Sequence, residues 1–516
     1  GLERFTSPQD PAEMLTNRAT PIAQTYYQVK IGGDLALLKG MMKCLLDADA
    51  EDLAAGGPGV LDHAFIAEHT QGLDALREDL ANTAWDDIVE QSGLSREDVA
   101  AAARLYADAE RVIICYGMGM TQHRRGTQNV QQMANLLLLR GNIGRQGAGI
   151  APIRGHSNVQ GDRTVGITEK PTQVLVDAIR QRFGFEFPLT HGHDAVEAVR
   201  AIRDGRSRAL VCMGGNLAVA MPDPDTTLPA MQNLDLVVHI ATKLNRSHLI
   251  TAKQMFLLPC LGRTERDVQA SGLQSVTVED SMSMVHASQG GLAPASEHLL
   301  SEPAIVAGIA RATLPQTKVD WDWLVEDYDR IRDAIEAVFP MFKDYNVRVR
   351  QPGGFRLYIG ASERDWGSVG KARFLVAPGL NEDPSIHAPD LLTMTTVRSH
   401  DQYNTTIYGF DDRYRGVSGR RDVVFMNADD LDARGLQHGD RIDIVSHMAG
   451  NEGAPRRVSG FTAVRYDLPR GSAAMYYPEG NRLVPLDSHD PQSGTPAYKS
   501  IPVQIMKSRG ASADVY

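Results

Sequence analysis

The stretch 113–166 most constrains what this chain can fold into. It reads IICYGMGMTQHRRGTQNVQQMANLLLLRGNIGRQGAGIAPIRGHSNVQGDRTVG. A short apolar run, 112–116, reads as a buried strand, and Gly117 and Gly119 break it into a turn. Val130, Met133, Ala134, Leu137 and Leu138 then fall on one helical face. Gly141 and Asn142 supply the stop. From Gly144 to Gly166 the chain is nearly all Gly, Asn, Gln, Arg, His and Ser, a composition that predicts a long loop. Such a loop inside a compact domain is usually functional. The plainer reading is a strand, a helix and a solvated loop. The density of amide, guanidinium and imidazole groups favours a ligand site, and the arginines and histidine suit an anion.

The rest of the chain limits the function classes. At 516 residues it has room for about three domains of roughly 150 residues each. It is 42% hydrophobic and 23% charged, as expected of a globular protein with sizeable cores. A net charge of −11 argues against a general nucleic-acid binder. No apolar run approaches membrane-spanning length, and the chain is expected to be cytoplasmic. Cys44, Cys115, Cys212 and Cys260 form no CxxC and are expected to be buried reduced thiols, so no metal ligand is assigned. Serine-hydrolase, P-loop and EF-hand patterns are absent.

Residues 1–30 lack a clear period and read as an extended segment. Helical spacing follows at 31–47, 64–68 and 85–89. Ser95 is a good N-cap for a helix to about Ala109, with Glu97 and Asp98 in its first turn. From Val174 helices and strands alternate: a helix at 195–202, then strands at 209–213, 234–240, 255–260 and 374–377. That alternation implies doubly wound parallel sheets, in which ligands bind beyond the strand C-termini. Gly214, Gly215 and Asn216 sit at one such end, where Gly-rich backbone can approach a phosphate. Thr242, Lys243, Asn245 and Arg246 sit at the next, where a plain helix start is the alternative. Beyond Thr393 short strands at 422–426, 441–445, 461–464 and 501–505, with Gly turns and a short helix capped by Asn427, predict a β-barrel.

Several motifs in order carry a more specific likeness. GMGMTQH, NLLLLRGNIGRQGAG and PIRGHSNVQGD are followed by MGGN at 213–216, TKLNRSH at 242–248, LPCLGRTERD at 258–267, RSHDQYNT at 398–405 and GNRLVPLDSHDPQSGTPAYKSIPV at 480–503. Over essentially its whole length the chain resembles the molybdopterin oxidoreductases, in their formate-dehydrogenase-like branch. The resemblance implies α/β architecture with two layered α/β/α domains and a C-terminal double-psi-type β-barrel. The implied divisions are 1–154, 155–388 and 389–516.

The resemblance also implies a cofactor, molybdenum or tungsten held by two molybdopterin guanine dinucleotides. Gln122, Asn158, Gln160, Arg398, Ser399, His400, Asn404, Asn481, Tyr498 and Lys499 match cofactor-lining positions, beside the strand-end residues named above. His123 points toward the same site more weakly. Asn245 and Arg246 depart from the acidic or small residues common in the superfamily. Related enzymes carry a [4Fe–4S] segment and the metal-ligating residue upstream. The chain is therefore expected to be the C-terminal two-thirds of a longer polypeptide, with that segment and an electron-transfer subunit as partners. Arg154 matches the arginine that holds a substrate carboxylate, for which a planar, permanently charged fork is well suited. His156 stands where formate dehydrogenases usually have Gln, and an imidazole can exchange a proton near neutral pH. The implied activity is two-electron oxidation of formate or a similar small anion. A different substrate, or a non-catalytic dinucleotide-binding fragment, remains open on sequence alone.

Overall fold

The computed structural model of the protein describes residues 4–5, 10–16, 20–186, 188–380, 390–405, 407–448 and 455–508. The chain divides into two compact units: one from 1–112, 131–142 and 371–383, the other from 113–130, 143–370 and 384–516. The division expected at 388–389 lies outside the described residues.

In the first unit, α1 (Asp34–Ala54) buries Leu35, Leu38, Met42 and Leu45 at helical spacing. α2 (Arg96–Asp108) starts at Ser95, whose hydroxyl accepts the Asp98 N–H at 3.1 Å. The segment 11–16, expected to be extended, is a short helix. The helix Gly126–Leu139 (α3) ends as its sequence predicts. Gly141 takes φ +62°, its N–H donates to the Leu138 carbonyl, and the Asn142 N–H reaches back to Leu137.

The segment 374–377 is not the fourth parallel strand expected of it. Pairing stops after Ala372–Arg373, which lie alongside Thr70–Gln71. Leu375 is held by side chains instead. Its carbonyl accepts from the Gln132 and Asn135 amides at 2.8 and 2.7 Å, and its N–H donates to Asn135 at 3.1 Å. Two buried helix amides thus satisfy the backbone groups that a neighbouring strand would have paired.

The second unit begins with β1 (Ile113–Tyr116) and β2 (Gly149–Pro152), paired in parallel. The span 144–166 is thus more ordered than its composition predicts: it contains β2 and the helix Val159–Thr164. A second parallel sheet runs in the order β3 (Ala209–Met213), β4 (Leu236–Ala241), β5 (Gln254–Pro259). On one side α4 (Ala195–Arg203) and α5 (Pro224–Gln232) cover it: Ile202 and Ala230 pack with Val237, Leu210 and Met255. On the other side α6 (Glu302–Thr313) sets Ile305 and Ile309 against Ile240 and Leu258. Between β5 and α6 lies an antiparallel ladder the sequence reading did not foresee, Val276–Glu279 with Met284–Ser288.

The C-terminal strands are β6 (Leu392–Val397), β7 (Val423–Met426), β8 (Arg441–Ser446), β9 (Arg457–Arg465), β10 (Ser472–Tyr476) and β11 (Ile501–Lys507). They form a closed barrel in the order β6-β10-β7-β9-β8-β11. Two pairs, β6 with β10 and β7 with β9, are parallel. Met394, Val424, Ile442, Ala463, Met475 and Val503 are fully buried in its core.

The expectation of four buried thiols is corrected. Cys260 is buried, Cys44 and Cys212 are half-buried, and Cys115 is exposed, on a two-stranded sheet. Burial raises the Cys212 and Cys260 thiols to about 11. Among the described residues no helix is long and apolar enough to cross a membrane.

Candidate functional site

Three groups of the expected site residues lie in the second unit. The first is at the strand ends of β3 and β4. Gly214 takes φ +68°, and its N–H donates to the Ile240 carbonyl at 2.8 Å. A side chain there would be strained whatever the space. Gly215 has no such constraint, and a Cβ on it would meet nothing within 4 Å. The turn therefore presents open backbone. The side chain of Asn216, by contrast, is committed within the protein. Its carbonyl accepts the Ser247 hydroxyl at 2.7 Å and its amide donates to the Thr405 carbonyl at 3.0 Å. It ties the 242–248 turn to the barrel loop.

That turn is held equally tightly. Asn245 accepts the Ser247 N–H at 2.9 Å, donates its amide to the Gly215 carbonyl at 3.2 Å, and gives its own N–H to His248 Nδ1 at 3.2 Å. This is a reciprocal cap on the short helix Arg246–Leu249. Thr242, Lys243 and Arg246 face outward. Thr242 and Gly214 line a cavity of about 850 Å³ together with Asn158, Glu302 and Tyr403. Burial raises the Glu302 carboxyl above its ordinary value.

The second group is on the barrel side. Lys499 is buried. Its ammonium donates to the Thr396 carbonyl, and its N–H to the Gln122 carbonyl at 3.1 Å. Burial, with the Arg398 charge adding to it, lowers Lys499 to about 7. Arg398 lies 4.0 Å over the Tyr477 ring, and burial depresses its pKa as well. The Asn481 amide donates to the carbonyls of Val219, Ala220 and Met221 at 2.9, 3.4 and 3.2 Å. The Tyr498 hydroxyl donates to Ala220 at 2.6 Å. Both side chains thus cap the short helix Leu217–Ala220 that follows the glycine turn. Two buried acceptors in this group, Gln122 Oε1 and Asn481 Oδ1, have no partner among the described residues. An unpaired buried acceptor is costly, so a donor from a ligand is the physical expectation. His123 offers no such vacancy, since its ring nitrogens meet Ser500 Oγ at 2.9 Å and the Gly119 carbonyl at 2.7 Å.

The 398–405 segment is braced from below by Arg421, which the sequence reading missed. Its guanidinium pairs with Glu479 at 2.6 Å and donates to Ser399 Oγ at 2.6 Å and the Tyr477 carbonyl at 2.9 Å. It lies between the Tyr408 and Tyr476 rings, 4.4 and 4.7 Å from their centroids. An arginine in the Arg420-Arg421 pair ahead of an apolar strand carries no sequence signal for that role. His400 pairs with Asp401 at 2.8 Å and stacks edge-on against Tyr414. Asn404 takes φ +47° and its carbonyl accepts from the Gln402 amide at 2.7 Å.

The third group is the 154–160 loop. Arg154 is exposed, and its guanidinium meets Gln160 at 3.4 Å. Gln160 is anchored by Glu279 and Ser283, both at 2.7 Å. Asn158 accepts the Glu279 N–H at 2.9 Å. The exposed His156 ring lies 4.8 Å from Tyr403 of the 398–405 motif. Arg154 and His156 are thus presented on a base fixed by Asn158 and Gln160.

Similarity to known proteins agrees with this arrangement. The molybdopterin oxidoreductase model matches residues 16–252 and the molydopterin dinucleotide binding domain matches 392–502. Protein YdeP of Escherichia coli O6:H1 is 57% identical over 506 residues, 98% of this chain and 67% of that protein. The chain thus spans about two thirds of that relative's length. A putative formate dehydrogenase of Staphylococcus aureus (strain MRSA252) is 32% identical over 224 residues, 42% of this chain and 22% of that protein. Among solved structures, acetylene hydratase from Pelobacter acetylenicus shares the fold, with a TM-score of 0.64, 15% identity, and coverage of 93% of this chain and 71% of that one. With the dinucleotide-binding model falling on the closed barrel and the oxidoreductase model on the α/β segments before it, the chain belongs to the molybdopterin oxidoreductase family.

Proposed function

We propose that this chain is the dinucleotide-binding part of a molybdopterin oxidoreductase acting on a small anion, with formate as the leading substrate. The observation that carries the substrate half is Arg154: an exposed guanidinium with one long hydrogen bond, on a loop anchored by Asn158 and Gln160. A planar fork so presented suits a carboxylate. The likeness of a segment of the chain to a putative formate dehydrogenase supports the same substrate class.

The residues fit two molybdopterin guanine dinucleotides. Gln122 and Asn481 offer buried unpaired acceptors to ring N–H donors, Lys499 and Arg398 offer charge, and the open backbone at Gly215 admits a phosphate. When bound, the metal and its pterins supply two-electron redox chemistry. The protein's own contribution is positional. Arg154 binds and orients the anion. His156, packed on Tyr403, holds or hands on one proton at an imidazole nitrogen. A [4Fe–4S] segment and an electron-transfer partner belong to the same proposal, as does a cytoplasmic setting. A second reading, a substrate other than formate, is favoured by His156 itself, because an imidazole opens a proton path that Gln does not.

The test uses the polypeptide including the segment that its relatives carry beyond this match. Metal analysis and guanine-nucleotide release on denaturation should show both; absence of both removes the cofactor reading. With cofactor loaded, Arg154→Lys should lower kcat/KM for formate by roughly two to three decades, about 2–4 kcal/mol, at unchanged cofactor content. Equal activity would leave Arg154 without a carboxylate role. A loaded enzyme inert to formate at every pH would move the substrate to the second reading.

A further inference from the structure

Beneath the 242–248 turn, His239 on β4 and His248 on the short helix Arg246–Leu249 meet with ring centroids 4.6 Å apart. Both are buried, at 1% and 7% exposure. Among the described residues only His248 Nδ1 of their four ring nitrogens has a partner, and it accepts the Asn245 N–H. Both nitrogens of His239, and Nε2 of His248, have none.

We propose that this histidine pair is an acid-sensitive latch for the strand-end turn, closed while both rings are neutral and opened by protonation of either. The proposal concerns regulation of the cofactor loop and rests on the cofactor reading only where a nucleotide is used to probe it.

The argument is geometric. An imidazolium at either position would place a charge in a buried site without an acceptor. Two imidazoliums in ring contact would also repel. A proton on His248 Nδ1 would in addition remove the acceptor of the Asn245 N–H and undo the cap that holds Asn245 onto Gly215. No carboxylate offsets this. The neighbour of His239 on β3 is Cys212, whose thiol burial keeps neutral, and its neighbour on β5 is Leu257. The helix Leu217–Ala220, packed on the turn, has no titratable side chain. On the helices covering that side of the sheet, the acids are engaged elsewhere: Glu197 with Arg206 and Asp225 with Arg482. On the turn itself Lys243 and Arg246 are cations, which oppose further positive charge. Burial accordingly lowers both histidines, with the like charge of His248 adding to the effect on His239. The sign follows. A histidine whose folded pKa lies below an unfolded value of about 6.5 adds stability above that pH and loses it as pH falls.

Hydrogen exchange of the 242–250 peptide, expressed as protection relative to intrinsic exchange, reads the latch directly. Between about pH 7.5 and 5.5 the wild-type protein should lose about tenfold protection there, while barrel peptides stay protected. In the pair His239→Phe with His248→Asn, where Asn at 248 keeps a cap acceptor that does not titrate, protection should be flat with pH. Unchanged wild-type protection, or an equal loss in the double variant, overturns the proposal. Guanosine diphosphate binding over the same range separates the two readings. Binding that weakens with acid in wild type but not in the variant supports the latch at the cofactor turn. A wild-type protein that binds no nucleotide yet shows the exchange response leaves the latch standing and removes the cofactor reading.

Discussion

The strand-end turns and the barrel face offer a ligand opposite kinds of surface. At 214–216 and 242–248 the side chains are spent on one another: Asn216 on Ser247 and Thr405, Asn245 on Gly215 and Ser247. What stays open there is backbone, above all Gly215. On the barrel side, the atoms without a partner among the described residues are side-chain oxygens, Gln122 Oε1 and Asn481 Oδ1, in the same group as the buried Lys499. The first surface suits a group that any N–H can meet, such as a phosphate. The second suits a ring with fixed donors, because buried amides discriminate by the cost of leaving them unpaired. One surface is made by spending polarity and the other by withholding it.

The largest expected effect comes from breaking the brace of the barrel face. Arg421→Leu leaves Glu479 unpaired and frees Ser399 and the Tyr477 carbonyl. Removing one partner of a buried pair costs about 3–5 kcal/mol, so denaturant unfolding should show a loss of that size. A loss below about 1 kcal/mol would mean the 398–405 segment holds itself.

Next is Lys499. Its folded pKa, about 7, lies below the ordinary lysine value of 10.5, so between these values the unfolded chain binds the extra proton. Stability of the cofactor-free protein should therefore rise with pH across that window and level off below pH 7. Lys499→Met should abolish this slope and also reduce cofactor content. A slope that survives the substitution would assign it to another group.

The smallest effect separates neighbouring glycines. Gly214→Val forces a β-branched residue to φ +68° and should cost about 1–3 kcal/mol in stability. Gly215→Val meets open space and should leave stability within about 0.5 kcal/mol, while lowering cofactor content by blocking close approach of a phosphate. Full cofactor retention in Gly215→Val would remove the open-backbone account.

Sequence periodicity reached the parts of the fold that local physics controls. Ser95, Gly141 and Asn427 mark helix ends because caps act within four residues. β3, β4 and β5 were legible as apolar runs, and the barrel as short strands between glycine turns. Several of the misses are long-range. The segment 374–377 looks like a strand, yet its hydrogen bonds go to amides some 240 positions away. Arg421 and Tyr403 matter through partners far off in sequence. Cys115 reads as core but lies on a sheet of only two strands. The structure sets several of the motif residues beside one another, Gln122 with Lys499 and Gly215 with Asn245. Motif order could not separate a side-chain atom left without a partner among the described residues, such as Gln122 Oε1, from side chains bonded within the protein, such as Asn216 and Tyr498.

The strand order of the barrel carries a consequence for assembly. β11 is paired with β8 on one side and β6 on the other, and follows both in sequence. Until it docks, those two strands are bare edges, open to solvent and to wrong partners. Lys499 sits two residues before β11 and comes into place with it. The seam that seals the barrel and the buried Lys499 are therefore set in place together. A chain caught with that seam open exposes two unpaired strand edges at once.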